Sequence, residues 1–418
     1  MNKKFDRRSF IKGAAITGAG VALGGGLFYG RHSLAALLAG DQGAVDRAIR
    51  DHKLGQMSGE DAQAAVEAYM TSGGGPGESR VVHIHDPDAT SWNFSTGWYG
   101  DYVDQPTVDN MVDRGIMELT GTSTVAGAWQ SLIPNYQSGD GVAIKVNFNN
   151  SPGWSPDCDG SGNIIDALPH PVRSVIAGLR AIGVPEVDIW VFDAIRAIPS
   201  RFKSVITALY PNVRFYDGSH PLCTGNLEAT FSSTDSSAWV TFSQGIESQR
   251  VTDVVVEAAH LINMPIVKKH FYKGTTLSFK NHFGTIRSPQ ALHSYIDVDG
   301  GPPYSSSQNP LVDIYLNPNI GAKTRLVLGD GLFGALDYNQ APRRWSTFGN
   351  QAPNSLLFAT DPVAIDCVMY DLLNDERAIT LPGADDYLKI AQAAGLGTFE
   401  HSSSPGVYSQ IDYVRIEL

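Results

Sequence analysis

Cationic side chains are concentrated in one short stretch of an acidic chain. The segment KKHFYKGTTLSFKNHFG, residues 268–284, contains four lysines and two histidines, whereas the whole chain has a net charge of −12. Lysine ammonium groups bind phosphate and carboxylate as point charges, and successive backbone N–H groups in a turn bind the same anions. We therefore predict an anion-binding turn at residues 274–276, followed by a short helix near residues 277–282. The alternative is a solvated basic loop that offsets nearby acidic residues.

Polar side chains also follow the predicted strands, and ligands of open α/β sheets bind beyond the carboxyl ends of strands. Residue type suggests the roles: carboxylates bind metals, lysines and amides bind anions, and histidines or a desolvated lysine carry protons. The candidate metal ligands are Asp193, Asp330 and Asp361, the candidate anion ligands are Lys145, Asn147, Lys268, Lys269 and Asn281, and the candidate catalytic residues are Lys280, His270 and His282. Taken singly, each residue also has a structural interpretation, such as a helix cap, a turn or an exposed lysine.

A second local pattern resembles the first half of a calcium-binding loop. The segment DCDGSGNIID, residues 157–166, has oxygen donors at alternate positions, from Asp157 and Asp159 onward, and a glycine at the turn. The twelfth position is Leu168 instead of the bidentate glutamate that such loops use. We therefore favour an Asp/Gly-rich surface loop over a calcium site.

Two histidines alternate on the first predicted strand. His83 and His85 are two residues apart, so both side chains face the same side and could form a metal pair, with His220, His270 or His282 as a third ligand. Surface exposure of the pair is the more common outcome for this pattern. The chain has no H-E-x-x-H, G-x-S-x-G or P-loop motif, so the motifs of zinc proteases, serine hydrolases and P-loop NTPases are absent from the sequence.

The elements that would position these residues form an alternating series. We predict strand, helix, strand, helix and strand over residues 142–217, then three further strands, a helix after Asp361 and a last helix that ends at Gly395. Such a series predicts an α/β fold, with a mainly parallel sheet, helices on both faces and long loop insertions. Residues 86–106, which are rich in Trp, Tyr, Asp and Gly, are predicted to form a long surface loop.

The N-terminus predicts export in the folded state. Arg7 and Arg8 precede a weakly hydrophobic run that contains several glycines, which is typical of a twin-arginine signal. We divide the chain into this signal at residues 1–39, a helical segment and Gly-rich linker at residues 40–79, and the α/β domain at residues 80–418. Export predicts a periplasmic or other extracytoplasmic location and an interaction with the twin-arginine translocation machinery, and an uncleaved leader would act as a membrane tether.

Composition limits the partners and the redox chemistry of the thiols. The negative net charge argues against nucleic acid as a partner. Three widely spaced cysteines, Cys158, Cys223 and Cys367, allow at most one disulfide and contain no C-x-x-C cluster.

Several segments resemble the domain of unknown function 362 (DUF362) family over roughly residues 80–400. The order of AIKVNFN, HPVRSVIAGLRAIG, INMPIVKKH, TLSFKNHFG, LVLGDGL and LLFATDPVAIDC is similar to that family, and KNHFG and TDPVAID are the most specific pieces. The resemblance implies an α/β domain with no agreed reaction, sometimes fused to ferredoxin-like modules. It would mark as the family's polar positions Lys145, Asn147, Lys268, His270, Lys280, Asn281, Asp361 and Asp366. This chain has no cysteine-rich module of that kind, so an internal iron–sulfur cluster is not expected.

These patterns lead to two functional hypotheses. The first is a metal- or cofactor-dependent enzyme that acts on a small anionic molecule, with iron or another divalent cation as the suspected metal and redox chemistry as one option. The second is a non-catalytic periplasmic protein that binds a ligand or cofactor. A membrane redox complex is a further candidate partner.

Overall fold

We analysed a computed structural model of the protein. It describes residues 79–148, 156–270, 274–336, 340–377, 383–404 and 406–418. The predicted signal, and all but the last residue of the predicted helical segment and linker, lie outside the described residues.

Eleven strands form one mixed sheet in which parallel pairs predominate. Its order is β13-β1-β12-β11-β8-β2-β3-β4-β5, with β9 beside β11 and β10 beside β9. Strands β11, β8, β2, β3, β4 and β5 are parallel to one another, whereas β12 is antiparallel to both of its neighbours. The strands are β1 Val81–His85, β2 Val142–Lys145, β3 Ile189–Asp193, β4 Arg214–Asp217, β5 Leu227–Glu228, β6 Trp239–Val240, β7 Gln249–Arg250, β8 His260–Asn263, β9 Ile266–His270, β10 Gly274–Thr276, β11 Thr324–Ala335, β12 Ser355–Ala359 and β13 Tyr413–Glu417, of which β6 and β7 form a separate pair.

Helices cover both faces of the sheet. They are α1 Gln105–Thr120, α2 Val125–Leu132, α3 Pro169–Ala181, α4 Ser200–Thr207, α5 Asp253–Glu257, α6 Ser278–Asn281, α7 His293–Ile296, α8 Pro310–Tyr315, α9 Pro362–Arg377 and α10 Asp386–Ala393. Alternate residues of a strand point to opposite faces, so Ala143 of β2 packs in the core that contains α9 and α10, whereas Val142 and Ile144 pack in the core of α1, α2 and α3. The predicted α/β class, with its mainly parallel sheet and two covered faces, is confirmed.

The loop at residues 86–106 differs from its prediction as a surface loop. Trp92 and Tyr99 are buried, and their rings pack against Phe333 of β11 with centroids 6.0 Å and 5.2 Å away. Burying aromatic rings contributes substantial hydrophobic free energy, so this loop is part of the core of α1, α2 and α3.

Two elements near the cationic stretch also differ from expectation. Residues 266–270, which follow the predicted strand at residues 260–265, form the separate strand β9. Residues 274–276, predicted as an anion-binding turn, form β10 and pair antiparallel with β9, with Thr276 opposite Lys268. A β-hairpin accounts for this segment because its backbone groups are engaged in strand pairing.

One disulfide joins Cys158 to Cys223, and Cys367 is free and buried. This agrees with the limit of one disulfide set by the cysteine count.

Candidate functional site

A cavity of about 760 Å³ lies at the carboxyl edge of the parallel strands. Its wall includes Asn147 after β2, Asp193 at the end of β3, His270 of β9, Thr276 of β10 and Lys280 of α6. Parallel strands end at a common edge, which is where ligands of this sheet type bind. The structure thus brings five of the strand-end and basic-stretch residues to one concave surface.

Lys145 and Asp193 form a buried ion pair at this edge. Lys145 Nζ lies 3.2 Å from Asp193 Oδ2 and 3.3 Å from Asn281 Oδ1, and it also donates to the carbonyl of Val146. Burial lowers the pKa of Lys145, and the negative charge of Asp193 opposes part of that effect. Lys145 is fully buried, so its ammonium group orients neighbouring residues and does not itself line the cavity.

Gly284 allows this ion pair to lie directly beneath the KNHFG segment. A β-carbon at Gly284 would lie 2.5 Å from Lys145 Nζ and 2.8 Å from Asp193 Oδ1. Real side chains do not approach that closely, so a larger residue would displace the pair. The glycine of the motif is therefore explained by close packing.

Three asparagines connect β2, β8 and α6 to Lys268. Asn147 Oδ1 accepts a hydrogen bond from Lys268 Nζ at 2.9 Å, and Asn147 Nδ2 donates to Asn281 Oδ1 at 3.0 Å. Asn281 Nδ2 donates in turn to Asn263 Oδ1 at 2.7 Å. A buried network of satisfied amides fixes side-chain positions, so Asn147 and Asn281 support the cationic residues of the cavity as well as lining it.

Asp366 holds the short helix α6 against the rest of the domain. The N–H of Ser278 donates to Asp366 Oδ1 at 2.8 Å, and the hydroxyl of Tyr387 donates to Oδ2 at 3.0 Å. Burial raises the pKa of Asp366 to about 7. The carboxyl group therefore connects α9, α10 and the helix that carries Lys280.

Lys280 is a buried cation of the cavity wall. Its side chain is 7% exposed, and its Nζ atom has no hydrogen-bond partner among the described residues. Nζ lies over the ring of Phe283, 5.6 Å from its centroid. Burial, and then the positive charge of Lys268, lower the pKa of Lys280 well below its ordinary value. The neutral amine is thus favoured much nearer to neutral pH than in an exposed lysine.

A second unsatisfied polar atom lies on the same wall. Thr276 is 3% exposed, and its hydroxyl also has no hydrogen-bond partner in the described parts of the chain. Buried polar atoms normally find partners. Thr276 and Lys280 therefore give the cavity wall two buried polar atoms that lack a hydrogen-bond partner among the described residues.

Lys268 carries a charge that is sensitive to pH. Burial lowers its pKa to about 7, with smaller effects from two negative groups, Asp166 and Asp193, and two positive groups, Arg196 and Lys145. Near neutral pH Lys268 is therefore partly protonated.

The histidines of the region are neutral near pH 7. Burial lowers the pKa of His282 to about 3, and it lowers that of His270, which stacks on His293 with ring centroids 5.6 Å apart. His270 lines the cavity, whereas His282 is fully buried and hydrogen-bonds Thr285 Oγ1 at 3.1 Å. Such weakly basic imidazoles are poor proton acceptors, which leaves Lys280 as the strongest candidate base of the three predicted catalytic residues.

The three predicted metal ligands lie in different environments. Asp193 pairs with Lys145, and Asp361 caps α9 by accepting from Val363 and Ala364 N–H, each at 2.8 Å. Burial raises the pKa of Asp330 to about 7 and that of Asp361 to about 6. Within the described residues, no three His, Cys, Asp or Glu side chains form a group that could hold a metal ion. The metal site therefore remains a prediction from sequence without geometric support.

Other sequence predictions fall outside the cavity. Lys269 is partly exposed and lies between Lys268 and His270 in β9, so its side chain points to the opposite face. Asp157 accepts from the N–H groups of Gly160 and Gly162 at 3.0 Å and 3.2 Å. These bonds hold the loop through its own backbone N–H groups.

Each histidine of β1 hydrogen-bonds side chains of the neighbouring strands β12 or β13. His83 is fully buried, with its ring nitrogens 2.7 Å from the Tyr413 hydroxyl and 2.8 Å from Ser355 Oγ. His85 lies 2.5 Å from Glu417. The expectation of surface exposure is wrong for His83. Strands β12 and β11 lie between β1 and β9, the strand that carries His270, so the pair is separated from that histidine of the cavity.

Several cavity residues were missed from the sequence. These are Arg196, Glu228, Arg287 and His293. They come from different elements and follow no common spacing, so only the fold identifies them as neighbours.

Comparison with known proteins agrees with the N-terminal and fold interpretations. A model of the twin-arginine translocation signal sequence matches residues 4–24, which supports export to the periplasm or another extracytoplasmic space. No helix in the described segments is long and apolar enough to cross a membrane. No curated protein matches the chain. A family model described as a domain of unknown function, DUF362, matches residues 142–371, which includes β2, the cavity strands and α6. Because this match covers more than half of the chain, the exported protein belongs to the DUF362 family.

Proposed function

We propose that this exported DUF362 protein is an enzyme that binds a small anionic molecule in the carboxyl-edge cavity and uses Lys280 in the reaction. The observation that carries this proposal is the buried, unpartnered Nζ atom of Lys280 on the cavity wall. Burying a charged or polar group without a partner destabilises a protein, and such groups cluster at functional sites. A methionine of similar length would fill the same space without that cost, so a functional role accounts for the lysine.

The balance of charge in the cavity favours an anion. Arg196 and Arg287 line it together with Lys280, and Lys268 lies behind the wall. The acidic groups on the wall are Asp193, which already pairs with Lys145, and the exposed Glu228. Cationic side chains with little competing negative charge attract and orient carboxylate or phosphate groups.

The role proposed for Lys280 uses neither a metal nor a membrane redox partner. Within the described ranges, no three His, Cys, Asp or Glu side chains form a group that could hold a metal ion.

Substitution of Lys280 tests the role of this residue in ligand binding. Titration calorimetry with sulfate, phosphate, pyruvate and glyoxylate is expected to detect binding to the native protein. We expect Lys280→Met to weaken that binding by roughly tenfold or more, because a charge-assisted contact is lost. Thermal stability should stay the same or rise, because an unpartnered buried amine is removed.

The matched control is Lys389→Met, because Lys389 is half-exposed on α10 and outside the cavity. This control should bind like the native protein. Unchanged binding by Lys280→Met, with a large loss of its thermal stability, would show that Lys280 is a structural residue.

A non-catalytic ligand-binding protein is the second candidate. The lowered pKa values of His270 and His293, which both line the cavity, favour it, because neither imidazole is protonated near pH 7. The two candidates differ in what happens to a bound compound. A binding protein would return it unchanged and in a stoichiometric amount after long incubation, whereas an enzyme would convert many equivalents, and mass spectrometry of the recovered compound distinguishes the two.

A further inference from the structure

The amine of Lys280 has the features of a nucleophile. Lys280 lines the cavity, and its buried Nζ atom makes no hydrogen bond to any described residue. Desolvation and a neighbouring cation are the two conditions that activate a lysine toward carbonyl carbon. Both are present, because Lys280 is enclosed by protein and lies within the electrostatic influence of Lys268.

The surroundings of this amine match a carbonyl compound that carries a negative charge. The Thr276 hydroxyl is buried on the same wall and has no partner among the described residues, so it is available as a donor to a carbonyl oxygen. Arg196 and Arg287 lie on the cavity wall and can bind a carboxylate or phosphate. Residues that carry an amine, a hydroxyl and two guanidinium groups therefore line one space of about 760 Å³.

We infer that Lys280 forms an imine with the aldehyde or ketone group of a small carboxylate- or phosphate-bearing molecule. This inference rests on the proposed function and names the substrate class of the same site. The nitrogen lone pair attacks the carbonyl carbon, a C–N bond forms, and the carbonyl π electrons move to oxygen. A proton passes from nitrogen to that oxygen to give the carbinolamine. The hydroxyl group then leaves with a second proton from nitrogen as water, and a C=N bond remains.

Reductive trapping tests this inference on the intact protein. Glyoxylate is added at pH 7.5, followed by sodium borohydride, which reduces an imine to a stable secondary amine. Peptide mass spectrometry then locates the carboxymethyl adduct. We expect labelling at Lys280 to be faster than at the exposed Lys389 by on the order of tenfold or more. An excess of sulfate should slow the labelling at Lys280 but not at Lys389.

Two variants test whether fast labelling of Lys280 depends on its surroundings in the cavity. Thr276→Val keeps the shape of the side chain but removes the hydroxyl, and it should slow labelling of Lys280 several-fold. Lys389→Met should leave the labelling rate of Lys280 unchanged. Circular dichroism and thermal melting of both variants verify that each has folded.

The outcomes also distinguish this inference from the proposed function. Binding of sulfate that depends on Lys280, without preferential labelling by glyoxylate, would overturn imine formation and leave anion binding intact. Labelling of Lys280 at the rate of Lys389, in a protein that binds no anion, would contradict both. Preferential labelling that sulfate suppresses would support both.

Discussion

At the residue scale, Lys268 gives the cavity a charge that depends on pH. Its Nζ atom donates to Asn147 Oδ1 and lies behind the wall that Lys280 forms. Because burial lowers its pKa to about 7, it is charged at pH 6 and mostly neutral above pH 8. The pKa of Lys280 is also lowered; in the proposed reaction Lys280 is the reactive amine, and Lys268 supplies the pH-dependent charge.

We predict that sulfate binds more weakly as the pH rises through 7. Sulfate keeps the same charge between pH 6 and 8.5, so a change in its affinity reflects a change in the protonation state of the protein. The loss of the Lys268 charge should weaken binding roughly fivefold to tenfold, as measured by titration calorimetry. Lys268→Met should bind weakly at every pH in this range. A native affinity that is equal at pH 6 and 8.5 would contradict the assignment of this charge to Lys268.

Lys268 also affects the stability of the fold, but its contribution rises with pH, whereas the predicted affinity for sulfate falls. The folded-state pKa of Lys268 lies below its ordinary value of 10.5, so the unfolded chain binds more protons between about pH 7 and that value. The contribution of Lys268 to the free energy of unfolding therefore rises with pH across this window.

At the element scale, a histidine and two carboxylates join the C-terminal segment to α9 and α10. His401 Nδ1 lies 2.6 Å from Asp371 of α9, and Nε2 lies 3.4 Å from Asp385, which precedes α10. Burial alone would lower the pKa of His401, but the two carboxylates outweigh it and raise the value to about 9. The protonated imidazole thus stabilises the packing of the C-terminal segment.

We predict that this ion-pair cluster loses its contribution between pH 6.5 and 9. The folded-state pKa lies above the ordinary value of 6.5, so the stabilisation is fully present below pH 6.5 and disappears as the pH rises through about 9. The side chain is 28% exposed, so solvent screening reduces the effect to about 1–2 kcal/mol. Urea unfolding at pH 6 and 9.5 measures it. In His401→Gln the difference between the two pH values should shrink by that amount, and an unchanged difference would rule out the cluster as its source.

At the scale of the whole molecule, the disulfide joins the segment that follows a loop of the cavity wall to a segment that lies much earlier in the chain. Cys223 follows the loop that contributes Gly218 and His220 to the cavity wall, and it is bonded to Cys158, 65 positions earlier in the chain. The carbonyl of Cys158 accepts a hydrogen bond from the N–H of Ser200, the first residue of α4. Disulfides persist in oxidising compartments, which agrees with the export of this protein.

We predict that reduction of this disulfide destabilises the protein by roughly 2–5 kcal/mol, because the crosslink closes a long loop in the unfolded chain. Urea unfolding with and without dithiothreitol measures the change. A double variant, Cys158→Ser with Cys223→Ser, should not respond to the reductant, whereas Cys367→Ser should respond like the native protein. If dithiothreitol leaves the unfolding curve of the native protein unchanged, the disulfide does not contribute to stability.

The sequence by itself determined the repeating local features of this fold. Hydrophobic periodicity predicted β2, α3, β3, α4 and β4 in order, because each pattern depends on residues only a few positions apart. The same reasoning correctly placed Asp361 at the start of α9 and a short helix, α6, in the KNHFG region. It also identified the export signal and the family from contiguous motifs.

Only the tertiary structure decided which of the candidate residues share a site. Lys145 and Asn281 are 136 positions apart, yet they are in hydrogen-bond contact. The pairing of β9 with β10 placed Thr276 opposite Lys268, and no local pattern predicted that pairing. Burial, which determines the pKa of Lys280 and of the histidines, is produced by contacts between distant segments. Residue types therefore indicated the chemistry, whereas long-range packing selected the residues that are in a position to perform it.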